Sequence, residues 1–304
     1  MMRSEVDRYL ELRRMTGFKL ESAARNLYAF AQAAEEQGRD FISQAEVVAW
    51  ARETGGTQTT RYDRLRDVVH FARFLHVEDP RHEVPSLEHF RYRKRRPGPY
   101  IFTPDEVLRL IDCANHLRQA YPLCRAAFRT LIGLIAATGL RRSEALNLRF
   151  QDVLPEGALR IRNTKFRKSR LVPLHPSTME VLQRYLEERS RWTLDEDHIF
   201  VGATGRKLRG DRCQDVFSRL VLAANIAPGR PRRPRLHDLR HTFATRVLQQ
   251  CAIRRDAVAK QFVALSTYLG HVDVASTYWY LEATPELMAD ISSAAEEWIA
   301  RSRA

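Results

Sequence analysis

Nine residues, RYRKRRPGP at positions 91–99, constrain the fold more than any other stretch. Pro97-Gly98-Pro99 stops both helix and β-ladder, because proline lacks the N–H and biases the residue before it toward extended backbone. Five of the six residues ahead of Pro97 are basic. The segment reads as a connector, so each side of it must bury a core of its own. At 304 residues the chain has room for two such domains, at roughly 100–200 residues each. The connector also divides the charge. Residues 1–90 hold 13 Lys/Arg against 15 Asp/Glu, a net of −2, whereas residues 91–304 hold 37 against 22, a net of +15. An excess confined to one region is the footprint expected of a surface that meets a polyanion.

The remaining composition excludes several classes. Cys113, Cys124, Cys213 and Cys251 lie far apart with no C-x-x-C pair, which argues against a zinc site or a disulfide framework and fits a reducing cytoplasm. No apolar run approaches the roughly 18 residues of a membrane span, and the opening MMRSEVDRYLELRR is too charged for a targeting segment. A cytoplasmic protein with no membrane partner is expected.

Apolar residues at three-to-four spacing predict helices over 5–15, 20–37, 44–53 and 60–76, with Ser43 and Glu46 as a capping box. Beyond the connector, Thr103-Pro104-Asp105-Glu106 carries an N-cap, a first-turn proline and a capping-box glutamate. Residues 121–137 are apolar enough for a buried helix. Residues 158–174, ALRIRNTKFRKSRLVPL, predict a hairpin with a basic tip formed by Arg162, Lys165, Arg167, Lys168 and Arg170. Helices are predicted over 178–191, 212–225, 237–250 and 285–300, a short strand at Ile199–Val201, and a loop at Arg230–Arg235, RPRRPR.

Against this background a dispersed set of side chains suits attack on a phosphodiester. Arg141 follows Thr138-Gly139-Leu140, where glycine permits a tight turn, and Glu144 stands one turn on, placed to orient the guanidinium. His237, Arg240 and His241 share one helix face. The two histidines have metal-pair spacing, but H-D-L-R-H lacks the glutamate of H-E-x-x-H and puts a cation between the ligands, so phosphate suits the group better than metal. A lysine of the hairpin tip can protonate a leaving oxygen; composition alone leaves open which one. His271 follows Leu269-Gly270, and Tyr278 and Tyr280 are both candidate nucleophiles.

Taken together, TGLRRSE, the basic hairpin ending RLVPL, HDLRHTFAT and YLGH followed by tyrosine resemble the tyrosine recombinases, or phage integrase family, of the Xer and transposon-integrase type. The resemblance is strongest over 138–280. It implies a mainly α (α+β) fold: a helical, SAM-like core-binding domain over 1–90, the basic linker 91–99, and a mixed α/β catalytic domain over 100–304 with a small β-sheet or hairpin and a C-terminal helix. Residue by residue, it makes Arg141, His237, Arg240 and His271 the phosphate-handling set, Lys165 the general acid, Tyr280 the nucleophile and Glu144 a support for Arg141. Tyr280 is preferred to Tyr278 because it lies nine residues after His271, as in the family pattern. The DNA-binding residues expected are Arg91, Arg93, Lys94, Arg95 and Arg96 in the linker, Arg167 and Lys168 in the hairpin, and Arg232 and Arg233 in the loop.

The implied function is site-specific recombination or integration through a 3′-phosphotyrosine, for a mobile element, with no metal and no cofactor. The implied partner is double-stranded DNA with inverted-repeat core sites, bound by a homotetramer or a mixed tetramer of related recombinases at the nucleoid. The alternatives are a non-catalytic DNA-binding accessory protein on the same fold and a type IB topoisomerase. One departure stands out. The interval between Arg240 and His271 is longer than the family pattern, with the extra residues near 250–262.

Overall fold

The computed structural model describes residues 2–18, 20–90, 98–117, 122–162, 169–192, 196–252 and 258–270. The chain divides into two compact units, Met1–Pro97 and Gly98–Ala304. Among the described residues the fold is mainly helical, with one small antiparallel sheet. No helix among the described residues is long and apolar enough to cross a membrane.

The first unit is four helices, α1 (Met2–Met15), α2 (Glu21–Glu36), α3 (Gln44–Glu53) and α4 (Gln58–His76), followed by a 3-10 turn at Leu87–Phe90. Their apolar stripes meet in one core that includes Leu10, Leu27, Phe30, Val47, Leu65, Val68 and Phe71. The four predicted segments match these helices to within a few residues. The expected capping box at α3 is only half formed. The Ser43 hydroxyl accepts from the Glu46 N–H at 3.4 Å, but the Glu46 carboxylate is drawn to Arg39, because an ion pair competes with the weaker return bond.

The second unit contains α5 (Pro104–Asn115), α6 (Pro122–Thr138), α7 (Arg142–Leu146), a 3-10 turn at Phe150–Asp152, and strands β1 (Val153–Leu154), β2 (Ala158–Ile161) and β3 (Arg170–Pro173). It continues with α8 (Pro176–Ser190), α9 (Gly210–Ala223), α10 (Leu236–Ala252) and α11 (Val258–Leu269). At α5 the capping box is complete: Thr103 accepts from the Glu106 N–H at 3.2 Å, and Glu106 accepts from the Thr103 N–H at 2.9 Å. Helix α6 is the spine. It is buried along most of its length, and α5, α7, α8 and α10 pack against it.

The predicted hairpin is present as β2 and β3, paired Leu159 to Val172 and Ile161 to Arg170. Its tip, with Lys165, Arg167 and Lys168, lies outside the described residues, as do linker residues 91–97 (with Arg91, Arg93, Lys94, Arg95 and Arg96) and everything from His271 onward, including Tyr280 and the predicted 285–300 helix. One sequence expectation needs correction and two details are added. The small sheet expected around the hairpin contains a third strand, β1, paired with β2 and too short to show a period. Ile199–Val201 forms no strand ladder: Val201 makes a single bridge to Lys207, and His198, just ahead of the segment, makes one to Arg149. The long interval after Arg240 holds a separate helix, α11, whose Phe262, Leu265 and Leu269 pack on Ala244 and Leu248 of α10.

The turn from α6 to α7 admits only glycine. Gly139 has φ +63°, and a Cβ there would come within 2.5 Å of the Phe243 ring. Gly157 has φ +82° but open space around it. Gly139→Ala should therefore lower stability by about 3 kcal/mol through strain plus overpacking, and Gly157→Ala by about 1 kcal/mol through strain alone. Urea unfolding of the two variants checks this; equal losses would remove the close-packing account of Gly139.

Candidate active site

Arg141 and Arg240 come from different helix ends and meet on one frame. Arg141 is the N-cap of α7, and its own N–H donates to Glu144 Oε2 at 2.9 Å while its Nη1 donates to Oε1 at 2.7 Å. Arg240 rises from the first turns of α10 and is 1% exposed. Its Nη1 donates to the Gly139 carbonyl at 2.7 Å and its Nη2 to the Leu269 carbonyl at 2.9 Å. Its guanidinium also lies 4.0 Å from Glu144. The next carbonyl along, Gly270, accepts from Arg141 Nη2 at 2.9 Å. The C-terminal end of α11 carries the negative end of the helix dipole, so cations belong there.

A third guanidinium completes the frame. Arg170 of β3 donates through Nη1 and Nη2 to the two oxygens of Glu144, at 3.0 and 2.9 Å, and through Nε to the Tyr268 carbonyl at 2.8 Å. The expectation that Arg170 belongs to the exposed basic tip is thus overturned: it turns inward, because Glu144 needs a cation. Arg162 is also held, against Asp152 at 2.5 Å. Arg232 and Arg233 are exposed in their loop.

His237 occupies the second position of α10, whose first turn is locked by Asp238. The Asp238 carboxylate accepts from the Arg235 N–H at 2.7 Å and from Arg235 Nη2 at 3.1 Å. Sequence reasoning passed over Asp238; its spacing three residues after Arg235 was the available signal. One turn on, Thr242 donates to the Asp238 carbonyl and accepts from the Phe102 N–H, which fastens α10 to the segment entering α5. The His237 and His241 rings meet edge to face at 4.6 Å and 84°. Crowding by protein, then Arg240, Arg235 and Arg141, hold His237 down to about 4, with Asp238 opposing. As a residue His237 is nonetheless exposed. At neutral pH it is an uncharged imidazole able to accept one proton.

Burial pushes the Glu144 carboxyl up, but the Arg170 fork, the Arg141 N–H and the Arg141 guanidinium more than reverse this and bring it to about 2. A depressed folded pKa stabilises the fold above the unfolded value, near 4.5, and that stability is lost as pH falls toward 2. Glu144→Gln should cost about 3 kcal/mol at neutral pH. The gap from the parent protein should close between pH 4.5 and pH 2. Urea titrations across that range test it; a pH-independent gap would contradict the ionic account.

The sequence profile of the phage integrase family matches residues 101–286. A Sinorhizobium fredii protein named as an integrase/recombinase, y4rB, is 36% identical over 297 residues, covering 95% of each chain. Tyrosine recombinase XerD of Caulobacter vibrioides is 31% identical over 289 residues, covering 89% of this chain and 90% of its own. Among solved structures, the Tn1549 transposon integrase in complex with transposon right end DNA has a TM-score of 0.65 at 18% identity, over 97% of this chain and 99% of that one. XerH recombinase bound to a palindromic difH substrate also scores 0.65, at 21% identity, over 91% and 80%. At these identities the solved structures speak for the fold, and the sequence matches carry the assignment: the chain belongs to the phage integrase family and is a tyrosine-type site-specific recombinase.

Proposed function

We propose that the chain cuts and rejoins double-stranded DNA at inverted-repeat core sites through a 3′-phosphotyrosine, with Tyr280 as nucleophile, Lys165 as general acid, and Arg141, His237, Arg240 and His271 around the scissile phosphate. The observation that carries this is the joint anchoring of Arg141 and Arg240 on Glu144 and the end of α11, which fixes two guanidinium groups in advance of substrate. Fixed donors of this kind stabilise charge that builds on a phosphate without the cost of reorganisation.

In the first step a bond forms between the Tyr280 oxygen and phosphorus while the bond from phosphorus to the 5′ oxygen breaks. The leaving oxygen takes a proton from Lys165, and the proton that Tyr280 gives up passes to the neutral imidazole of His237. A 5′ hydroxyl from a partner strand then reverses the chemistry. Bond energy is kept in the covalent intermediate, so no nucleotide cofactor is required. The arginines supply the charge neutralisation that a metal ion provides in other phosphoryl transfers.

The first unit is assigned to grip the core site, linker residues 91–96 to lie along the phosphate backbone, and Arg167, Lys168, Arg232 and Arg233 to add phosphate contacts. The assembly proposed is a tetramer, of this chain alone or mixed with related recombinases, acting in the cytoplasm at the nucleoid. The names of the transposon integrase and of the integrase/recombinase relative support a mobile element as the source of its sites.

A nicked suicide substrate carrying the core site, incubated in EDTA, tests the chemistry. Wild-type protein and Tyr278→Phe should form a covalent adduct, and Tyr280→Phe should bind DNA without forming one. Adduct formation by Tyr280→Phe, or a requirement for divalent metal, would overturn the assignment.

A further inference from the structure

Arg170 stands at the last paired position of the β2–β3 ladder, opposite Ile161. It shares a strand face with the buried Val172 and Leu174. A cation directed inward is costly unless fully paired. Here all of its reach is spent inside the protein: two donors on Glu144 and one on the Tyr268 carbonyl, leaving 15% of the side chain exposed. Its fork is committed to a carboxylate, a stronger acceptor than the carbonyls that hold Arg240, so it is the less available of the two to a phosphate.

Its partners are the ones that hold the two site arginines. Glu144 is also the carboxylate that receives Arg141. The two carbonyls after Tyr268 receive Arg240 and Arg141. The guanidinium also lies against Gly270, where a Cβ would stand 3.0 Å from Nη1 and the left-handed φ of +66° itself favours glycine.

We propose, on the strength of the recombinase reading above, that Arg170 is a positioning residue for strand transfer, acting through Glu144 on Arg141 and through the end of α11 on Arg240. With Arg170 in place, both Glu144 oxygens are fixed and Arg141 meets them in one orientation. Without it, the carboxylate keeps Arg141 as its main partner and is free to turn with it. A displacement of about 1 Å at a reacting centre costs on the order of 100-fold in rate. DNA affinity, carried by exposed phosphate contacts, is left alone. Lysine cannot replace the planar fork, so it restores charge but only part of the geometry.

The test uses full-length Arg170→Gln, Arg170→Lys, Glu144→Gln and the Arg170→Gln/Glu144→Gln double variant. Single-turnover adduct formation at saturating protein is compared with DNA binding by titration, and circular dichroism checks the fold. Arg170→Gln should slow adduct formation on the order of 100-fold, with Arg170→Lys intermediate and DNA affinity within about threefold of wild type. The double variant should be no slower than the slower single, because the two residues act as one unit. A folded Arg170→Gln with a rate within about threefold of wild type overturns the role, as do single losses that multiply in the double variant. If Arg170→Gln does not fold, a wild-type rate in Arg170→Lys overturns it instead. Failure of wild-type protein to form a Tyr280 adduct would sink the recombinase chemistry itself; a normal wild-type adduct with unaffected Arg170 variants sinks only the positioning role.

Discussion

A single buried carboxylate, Glu144, governs how the second unit is put together around its site. Burying a charge costs several kcal/mol, and only close, well-oriented partners offset it. Glu144 has two guanidinium groups at hydrogen-bond distance and a third at 4.0 Å. The same three arginines take the last three carbonyls of the α11 region, at Tyr268, Leu269 and Gly270. Helix α7, strand β3, helix α10 and the end of α11 are therefore joined by charge rather than by apolar packing alone. Each element has its own hydrophobic footing, but their mutual register is ionic.

That arrangement also sets the charge offered to substrate. Three arginines against one carboxylate leave an excess of positive charge, softened in the free protein by carbonyl dipoles. Carbonyls are good enough acceptors to keep the guanidiniums ordered. They are weak enough that the full cationic charge persists for an anion that carries one negative charge and gains more as its fifth bond forms. The wider surface follows the same division. In the first unit Arg8, Arg66 and Arg81 are paired with neighbouring carboxylates, in keeping with its net of −2 over residues 1–90. The excess over 91–304 has too few carboxylates to pair with, so it acts at longer range on a polyanion.

Much of this was legible in the sequence, for physical reasons that differ by element. The helices of the first unit announce themselves because each buries one stripe, which leaves a 3.6-residue period. Thr103 and Glu106 could be read because a capping box is a local device whose two bonds span three residues. Arg141, Glu144, His237 and Arg240 could be picked out by residue type and spacing, but not their shared anchorage, which joins residues far apart in the chain. Arg170 was hidden in a basic run where five cations look alike. The signal that separates it is the strand period: positions 170, 172 and 174 alternate inward, so the arginine must enter the core side with Val172 and Leu174. Helix α11 was obscured by the departure from family spacing, although Phe262, Leu265 and Leu269 carry the three-to-four pattern of a helix packed on one side.

The long interval before His271 is compatible with the same geometry. A helix can present a row of carbonyls to arginines only at its C-terminal end, where the last turn lacks internal donors. Helix α11 ends at Leu269 and hands over to Gly270, whose left-handed backbone turns the chain against Arg170. The residue immediately ahead of His271 is thus fixed by two of the arginines, Arg141 through its carbonyl and Arg170 through close packing. Lengthening the chain between Arg240 and His271 need not loosen the site, because the added residues lie upstream of this anchor. What must be conserved in space is the end of α11, and that is held by the ion-pair frame, not by the number of residues leading to it.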